Sequence, residues 1–260
     1  MPRTGGFSAR ALTHRFAAWV SSAFVALLFV AVTRPALAQI GGLPSPFQTN
    51  TAETWTGAEA TRHSWSTYTG INWSPFGKIT QDGLRLRLAG GYGEYRYAGN
   101  VEGTTQSIYG TAAFADLLVG YQRGFGPLTL KAFAGATFDG HLLDPFDEAS
   151  KVGGAATGAK GVLESWLNLS PDTFAQFDLS YATAHQTYNS RLRVGYRLNR
   201  VFSIGLEGGA FGNLAANNGR GGAFARYEWL GGELSLSGGI SGDIAAPRNP
   251  YGTLVYLTRF

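Results

Sequence analysis

RLRVGYRL, residues 191–198, alternates two kinds of side chain. Its odd positions are arginine or glycine, and its even positions are leucine, valine or tyrosine. Because successive side chains of a β-strand point to opposite faces, this pattern predicts a strand with one polar and one apolar face. A soluble sandwich buries the apolar face, whereas a membrane barrel turns it to lipid and keeps the polar face in its lumen.

The same period of two recurs along the chain and predicts an all-β protein, an antiparallel transmembrane β-barrel of about twelve strands. Short turns and longer loops should alternate between the two ends of such a barrel. The first two hairpins break this rule, since 62–64 is short and 74–82 is long, so ten or fourteen strands stay open. The predicted strands are 54–61, 65–73, 83–97, 105–123, 127–139, 155–169, 173–185, 187–198, 201–212, 219–229, 232–242 and 250–260.

The first 38 residues predict a signal peptide. Arginines precede an apolar run from Phe16 to Val32, and Ala36 and Ala38 then form an A-x-A cleavage pattern. A single transmembrane anchor is the alternative, because the run approaches the length that spans a bilayer. Residues 1–38 are therefore predicted to be removed, 39–53 to form a periplasmic lead-in and 54–260 to form the barrel.

The net positive charge of the chain lies in this leader. The full sequence has 21 basic and 17 acidic residues, and residues 1–38 hold four of the arginines and no acid, so 17 of each sign remain. A balanced chain gives no reason to expect a nucleic-acid partner. The sequence has no cysteine, which excludes thiol catalysis and cysteine-ligated zinc.

The last segment, PYGTLVYLTRF at 250–260, resembles the C-terminal strand of bacterial outer-membrane barrels. Such strands commonly end in Phe, which the barrel assembly machinery reads, so Tyr256 and Phe260 are the predicted assembly signal. The predicted location is the outer membrane of a Gram-negative bacterium, with its lipids and the assembly machinery as partners. Aromatic residues near strand ends predict the two girdles of such a barrel: Trp65, Trp73, Tyr109, Tyr121, Tyr227, Trp229, Tyr251 and Tyr256.

The polar positions of the strands predict a lumen lined by charges of mixed sign. Paired charges would close a small barrel, whereas unpaired ones would line a polar conduit or a groove for sugar hydroxyls. We expect a mostly occluded lumen, in which Tyr68 and Trp166 are candidates to stack on sugar rings. The predicted lumen residues are Arg85, Arg87, Lys131, Glu164, Asp178, Arg191, Arg193, Arg197, Glu207, Arg226 and Glu228.

Other motifs give only weak indications of a binding or catalytic function. GGYGEYRYAG (90–99) and GGAATGAKG (153–161) are rich in glycine, but neither contains the Gly-Lys-Ser/Thr of a phosphate-binding loop. His63 beside Ser64, and His185 near Ser190, permit a lipid-modifying enzyme, yet no local motif fixes a nucleophile against its base. We therefore predict no enzyme, no cofactor and no metal, and a solvated acidic loop at 144–150.

Several segments together resemble the BcsS family of cellulose biosynthesis proteins. They are GGYGEYRY (90–97), VGYQRGFGPLTLKAFAGA (119–136), RVGYRL (193–198), GGAFARYEW (221–229), SLSGGISGD (235–243) and the ending at 250–260. The resemblance implies an exported protein with a role in cellulose production, either in polymer export or in organising the secretion machinery. It implies cellulose or other cellulose-synthesis proteins as partners and carries over no catalytic residue. A lipid-modifying barrel enzyme and a structural or adhesin barrel remain the alternatives.

Overall fold

Twelve antiparallel strands close into a single barrel in the computed structural model, which describes residues 50–244 and 248–260. Each strand pairs with its neighbours in the chain, and β1 also pairs with β12. The strands are β1 (Ala52–Thr61), β2 (Ser64–Trp73), β3 (Gly83–Val101), β4 (Thr104–Phe125), β5 (Leu128–Asp144), β6 (Gly154–Asn168), β7 (Thr173–Ala182), β8 (Tyr188–Arg197), β9 (Phe202–Gly212), β10 (Asn217–Trp229), β11 (Gly232–Asp243) and β12 (Asn249–Arg259).

The predicted fold class and the count of twelve are confirmed. The irregular hairpins at the start of the barrel are real, since residues 62–63 join β1 to β2 and residues 74–82 join β2 to β3. The predicted signal peptide and residues 39–49 of the lead-in lie outside the described residues. No helix in the described ranges is long and apolar enough to cross a membrane.

Several strand boundaries differ from the prediction, most of all at the loop side of the barrel, where β5 continues to Asp144 and not only to 139. β3 and β4 continue to Val101 and Thr104, past the predicted limits of 97 and 105, because Glu102 and Gly103 form a two-residue turn with positive φ at both positions. The strand predicted over 173–185 ends at Ala182 and is followed by a short 3₁₀ turn over Ala184–Gln186. The β3–β4 hairpin therefore projects well beyond β2, whose pairing with β3 ends at Tyr95.

The two ends of the barrel differ in their connections. At one end, called the terminus end, β1 begins and β12 finishes, and the backbones of Ala52 and Phe260 exchange hydrogen bonds of 2.9 Å in both directions. The other end, called the loop end, carries the β3–β4 hairpin and the segments 145–153 and 183–187. The two ends of the barrel therefore carry different kinds of connection.

The barrel wall is apolar outside and polar inside. Leu117 and Leu206 expose 66% and 70% of their surface on the outer face, whereas Arg85 and Arg193 on the inner face expose 1% and 5%. This distribution is the reverse of a water-soluble sandwich and is the pattern of a barrel whose outer face contacts lipid.

Inward-facing rings lie over glycines of the neighbouring strand. A Cβ atom added to Gly57 would lie 2.3 Å from the ring of Tyr68, which is its partner in register, and one added to Gly110 would lie 2.2 Å from the ring of Tyr95. The rings fill the space that a missing side chain leaves, as in the aromatic rescue of strand glycines. The same arrangement pairs Gly70 with Trp55, Gly91 with Phe114, Gly120 with Phe133 and Gly195 with Phe174.

One residue predicted for the aromatic girdle lies elsewhere. Trp65, Trp73, Tyr109 and Tyr121 have exposed side chains, but Tyr251 is 6% exposed. Its hydroxyl donates to Glu207 inside the lumen at 2.7 Å. The prediction for Tyr251 was wrong. Tyr251 lies near a strand end, but its place in the alternation of β12 directs its side chain inward. The remaining girdle residues are Tyr227, Trp229 and Tyr256.

Candidate functional site: the lumen and its two mouths

The charged residues predicted for the lumen all lie at inward positions of their strands. In register, Lys131 lies opposite Glu164 and Arg193 lies opposite Glu207 on adjacent strands. Opposite charges in cross-strand pairs stabilise a sheet, so the barrel wall brings complementary residues together before any contact crosses the lumen. The residues at these positions are Arg85, Arg87, Lys131, Glu164, Asp178, Arg191, Arg193, Arg197, Glu207, Arg226 and Glu228.

A first charge group lies in the half of the lumen near the terminus end. Lys131 Nζ lies 2.9 Å from Glu53 Oε1, and Arg87 Nη2 lies 2.6 Å from Glu164 Oε1. Asn72 links the two pairs, because its amide donates to Glu53 at 2.9 Å and its oxygen accepts from Arg87 Nε at 2.8 Å. Since β5 is not a neighbour of β1, nor β3 of β6, these contacts cross the lumen.

A second group is centred on Arg193 in β8. Its Nε lies 2.7 Å from Glu207 Oε2, and its terminal nitrogens donate to Ser235 at 3.3 Å and to Ser237 at 2.8 Å. Glu207 also accepts the Tyr251 hydroxyl, and the side chains of Arg193 and Glu207 are 6% and 1% exposed. Two charges this deeply buried are stable only because hydrogen bonds satisfy both of them.

Further pairs line the half of the lumen near the loop end. Lys160 Nζ lies 2.6 Å from Asp116 Oδ2, and Arg220 Nη1 lies 2.6 Å from Glu59 Oε2. The guanidinium of Arg220 also lies 4.5 Å from the centre of the Phe211 ring. On the wall between the two halves, Arg191 pairs with Asp178 at 3.1 Å.

The two aromatic candidates for sugar stacking have different surroundings. Trp166 stacks on Phe174, with ring centroids 4.5 Å apart, and Arg226 lies 4.5 Å from the centre of each ring. Arg197 is 5.0 Å from the Phe174 ring. Trp166 is therefore part of a packed plug near the terminus end, whereas Tyr68 lines a cavity in the other half.

Arg85 anchors the segment 74–82 across the terminus end. Its terminal nitrogens donate to Ser74 Oγ at 2.9 Å, to the Ile79 carbonyl at 3.0 Å and to the Gln81 carbonyl. Ile79 is 3% exposed, and its backbone amide donates to Asn50 at 2.7 Å. Arg85 thus positions a connection that folds inward, and the side chain does not line an open conduit.

Together these contacts occupy the lumen between the packed plug and the loop-end cavity. Four ion pairs join strands that are not neighbours, whereas Arg193–Glu207 and Arg191–Asp178 join adjacent strands, and all of these side chains are less than one-third exposed. An ion or polymer that passed through the barrel would have to break these ion pairs. Breaking a pair leaves a charge without its partner in a buried position, which costs free energy.

A cavity of about 370 Å³ remains in the half near the loop end. Its volume lies within the range of small-molecule sites, about 300–1,000 Å³. Its inward lining combines rings with hydroxyl and amide groups: Tyr68, Tyr95, Phe114, Ser64, Ser66, Thr137, Ser180, Thr187, Asn189 and Asn213.

The mouth at the loop end is held by a chain of hydrogen bonds. The Tyr95 hydroxyl lies 2.8 Å from His141 Nδ1, His141 Nε2 lies 3.4 Å from Asp139, and Thr187 donates to Asp139 at 3.0 Å. Asp147 was predicted to lie in a solvated loop, but it is 7% exposed and accepts the Tyr97 hydroxyl at 2.7 Å. That prediction was wrong because the projecting β3–β4 hairpin brings Tyr97 over the loop.

The serine–histidine candidates are not joined. Ser64 Oγ lies 2.8 Å from Thr61 Oγ1, and Ser190 Oγ donates to the Ala210 carbonyl at 3.1 Å. The His63 ring accepts from Arg96 at 3.3 Å. Within residues 50–244 and 248–260, no group of three or more His, Asp or Glu side chains is arranged to hold a metal ion.

Sequence reasoning missed several partners in the lumen. Glu59, Asp116 and Arg220 lie on predicted strands in phase with the inner face, so the alternation contained the signal that identifies them. Glu53 lies one residue before the predicted start of β1, where boundaries are least reliable. Tyr251 has the inward phase but was placed with the girdle.

A sequence model of the family described as "Cellulose biosynthesis protein BcsS" matches residues 54–260. The chain belongs to this family. The match covers all but two residues of the described barrel, so BcsS membership applies to the barrel as a whole. No curated protein gives a significant match to the chain.

Solved structures of outer-membrane proteins are similar to this BcsS family member. The COG4313 outer membrane channel from Pseudomonas putida F1 has a TM-score of 0.51 and 10% identity, over 84% of this chain and 100% of that one. The translocator domain of autotransporter NalP from Neisseria meningitidis has a TM-score of 0.47 and 12% identity, over 92% and 98%. KdgM porin has a TM-score of 0.45 and 11% identity, over 80% and 99%. At 10% identity, the likeness to the COG4313 channel is one of fold alone.

Proposed function

We propose that this BcsS protein works at the outer membrane of a Gram-negative bacterium, where it organises cellulose secretion at the cell surface and is not a wide pore. The terminus end would face the periplasm, because outer-membrane barrels have short turns and both chain ends on that side. The loop end and its cavity would then face outward.

The observation that carries the proposal is the set of buried ion pairs across the lumen. Arg87–Glu164 and Lys131–Glu53 join strands that are not neighbours, at 2.6 Å and 2.9 Å, and all four side chains are less than one-third exposed. A conduit for a polymer needs a continuous path, whereas this lumen is bridged at several levels. Family membership supplies the link to cellulose, and the bridged lumen favours an organising role over passage of the chain through this barrel.

Deletion of the gene is expected to lower surface-attached cellulose without accumulation of polymer in the periplasm. The measurement is cellulose in the surface, medium and periplasmic fractions, with the wild-type gene restored on a plasmid as control. Accumulation in the periplasm would contradict the organising role and favour passage through the lumen. A normal amount in the normal location would overturn the cellulose role altogether and leave a structural or adhesin barrel.

We further propose that the protein is not an enzyme. The double variant His63→Ala, His185→Ala is expected to leave outer-membrane lipid composition unchanged, because the hydroxyls of Ser64 and Ser190 have other partners. Lipid analysis by mass spectrometry of cells carrying either form checks this. A change in acyl-chain or headgroup composition, absent when the outward Tyr181 is replaced by Ala, would favour the lipid-modifying alternative.

The C-terminal strand is proposed as the signal for the barrel assembly machinery. Leu254, Tyr256 and Phe260 are all more than one-third exposed on the outer face of β12 and just beyond it. Their side chains face outward and take no part in the lumen contacts, which supports the assignment of Tyr256 and Phe260.

A further inference from the structure

The loop-end cavity is lined by aromatic rings that lie flat against the barrel wall. The rings of Tyr68, Tyr95 and Phe114 lie over Gly57, Gly110 and Gly91, at 2.2 to 2.5 Å from where a Cβ atom would stand. Lys160 Nζ lies 5.2 Å from the centre of the Phe114 ring, and the Tyr95 ring packs against His141 with centroids 5.7 Å apart, so both of these rings already have partners. Tyr68 is half-buried and lines the cavity, and among the described residues it has no ring-stacking or cation–π contact.

The rings are spread along the barrel axis. Tyr68 lies opposite Gly91, and Tyr95 follows Gly91 by four residues on the same strand. At about 3.3 Å per residue this places the two tyrosines roughly 13 Å apart along the wall. That distance suits a short extended run of sugar rings and exceeds the length of a single one.

The polar lining is suited to hydroxyl groups. Ser66, Ser180 and Asn189 contribute hydroxyls or an amide to the inner side of the cavity. Such groups can both donate to and accept from a polyol. Rings that contact the C–H face of a sugar, together with hydroxyl and amide partners at its rim, form the usual chemistry of carbohydrate recognition.

The charged groups of the cavity are already paired. Glu59 binds Arg220 at 2.6 Å and Lys160 binds Asp116 at 2.6 Å, while Asp139 lies 3.4 Å from His141 Nε2 and accepts a hydrogen bond from Thr187 at 3.0 Å. A charged ligand would need a free counter-charge, and breaking one of these pairs to supply it would leave a partly buried ion alone. The cavity therefore favours a neutral ligand.

We infer that the loop-end cavity binds a neutral β-linked glucan segment, with Tyr68 as a stacking platform. The inference rests on the proposed function for the choice of glucan, and on the cavity alone for a neutral saccharide. It assigns the cavity a role in holding the emerging polymer at the outer mouth, which is compatible with a closed lumen behind it.

Cellohexaose binding to the purified full-length mature barrel in detergent tests the site, with isothermal calorimetry as the readout. Tyr68→Ala is expected to weaken binding about fivefold to tenfold, the effect of losing one aromatic contact. Tyr68→Phe keeps the ring and is expected to bind within about twofold of wild type, since the stacking contact is retained. Tyr181→Ala removes a tyrosine from the outer face, where it is 50% exposed, and should not change binding.

The outcomes separate this site from the proposed function. Folding of each variant is checked by circular dichroism and by heat-dependent electrophoretic mobility, so that loss of the barrel is not read as loss of the site. Unchanged affinity in folded Tyr68→Ala, or no saturable binding to wild type, overturns the inference even if deletion alters cellulose. Tighter binding of the β-1,4-linked glucuronate hexamer, which is cellohexaose oxidised at C6, would also overturn it. Specific cellohexaose binding with normal cellulose in the deletion strain would keep the site and remove the proposed function.

Discussion

Arg193→Ala is expected to destabilise the barrel by about 3–5 kcal/mol, the cost of leaving one member of a buried ion pair alone. The substitution removes the 2.7 Å contact to Glu207 and the bonds to Ser235 and Ser237. Glu207, 1% exposed, would keep the Tyr251 hydroxyl as its only remaining partner of this group. Urea unfolding of the protein in lipid vesicles, followed by tryptophan fluorescence, measures the loss.

Arg123→Ala is the matched control, because it removes the same side chain from an exposed pair. Arg123 and Asp82 lie 3.5 Å apart with side chains 60% and 45% exposed, and such a pair contributes less than about 1 kcal/mol. Equal losses for the two variants would contradict the view that the pairs in the lumen are buried and structural. Replacing both members, as Arg193→Met with Glu207→Leu, should recover a large part of the stability lost in Arg193→Ala.

Gly205→Val is expected to reduce strongly the fraction of protein that assembles. A Cβ atom at Gly205 would lie 2.2 Å from the Val194 carbonyl oxygen and 2.7 Å from the Phe224 ring. Because one of these atoms belongs to the backbone of β8, relief requires two strands to separate, at a cost of about 3 kcal/mol, the upper part of the usual range for overpacking. The measurement is the heat-modifiable, folded fraction in isolated membranes at equal expression.

Gly161→Val provides the comparison, since no atom lies within 4 Å of a Cβ at that position. Valine is favoured over glycine in strands, so this variant should assemble at least as well as wild type. Poor assembly of both variants would show that glycine is needed for chain flexibility in general and not for space at Gly205.

The faces of the strands could be predicted from sequence because alternation is a local property. Leu192 and Arg193 differ in polarity and are adjacent, so any strand through them has a polar and an apolar side. The twelve segments and their inward charges follow from that rule applied repeatedly. The same rule predicts an inward side chain for Tyr251, whereas nearness to a strand end alone assigns it to the girdle.

The contacts across the lumen could not be predicted in this way. Lys131 meets Glu53 across 78 residues of sequence, and Arg193 meets Ser237 across 44. Which charges meet depends on the stagger of all twelve strands, and no single segment contains that information. Burial of Asp147 depends likewise on the projecting hairpin that carries Tyr97. The cavity is a property of the assembled wall, since its flat rings need glycines on neighbouring strands.

Because β1 pairs with β12, the barrel can close only when its C-terminal strand is present. Trp55 of β1 has Leu257 of β12 as its partner. One edge of β1 therefore stays unpaired until β12 has been made and added to the barrel. A chain that stops anywhere before Asn249 has no smaller closed form, because β1 and its own final strand both keep unpaired edges. Exposed edges invite pairing with other chains and recognition by proteases. The fold therefore distinguishes finished from truncated copies, and a premature stop is expected to remove the protein and not to leave a partly active one.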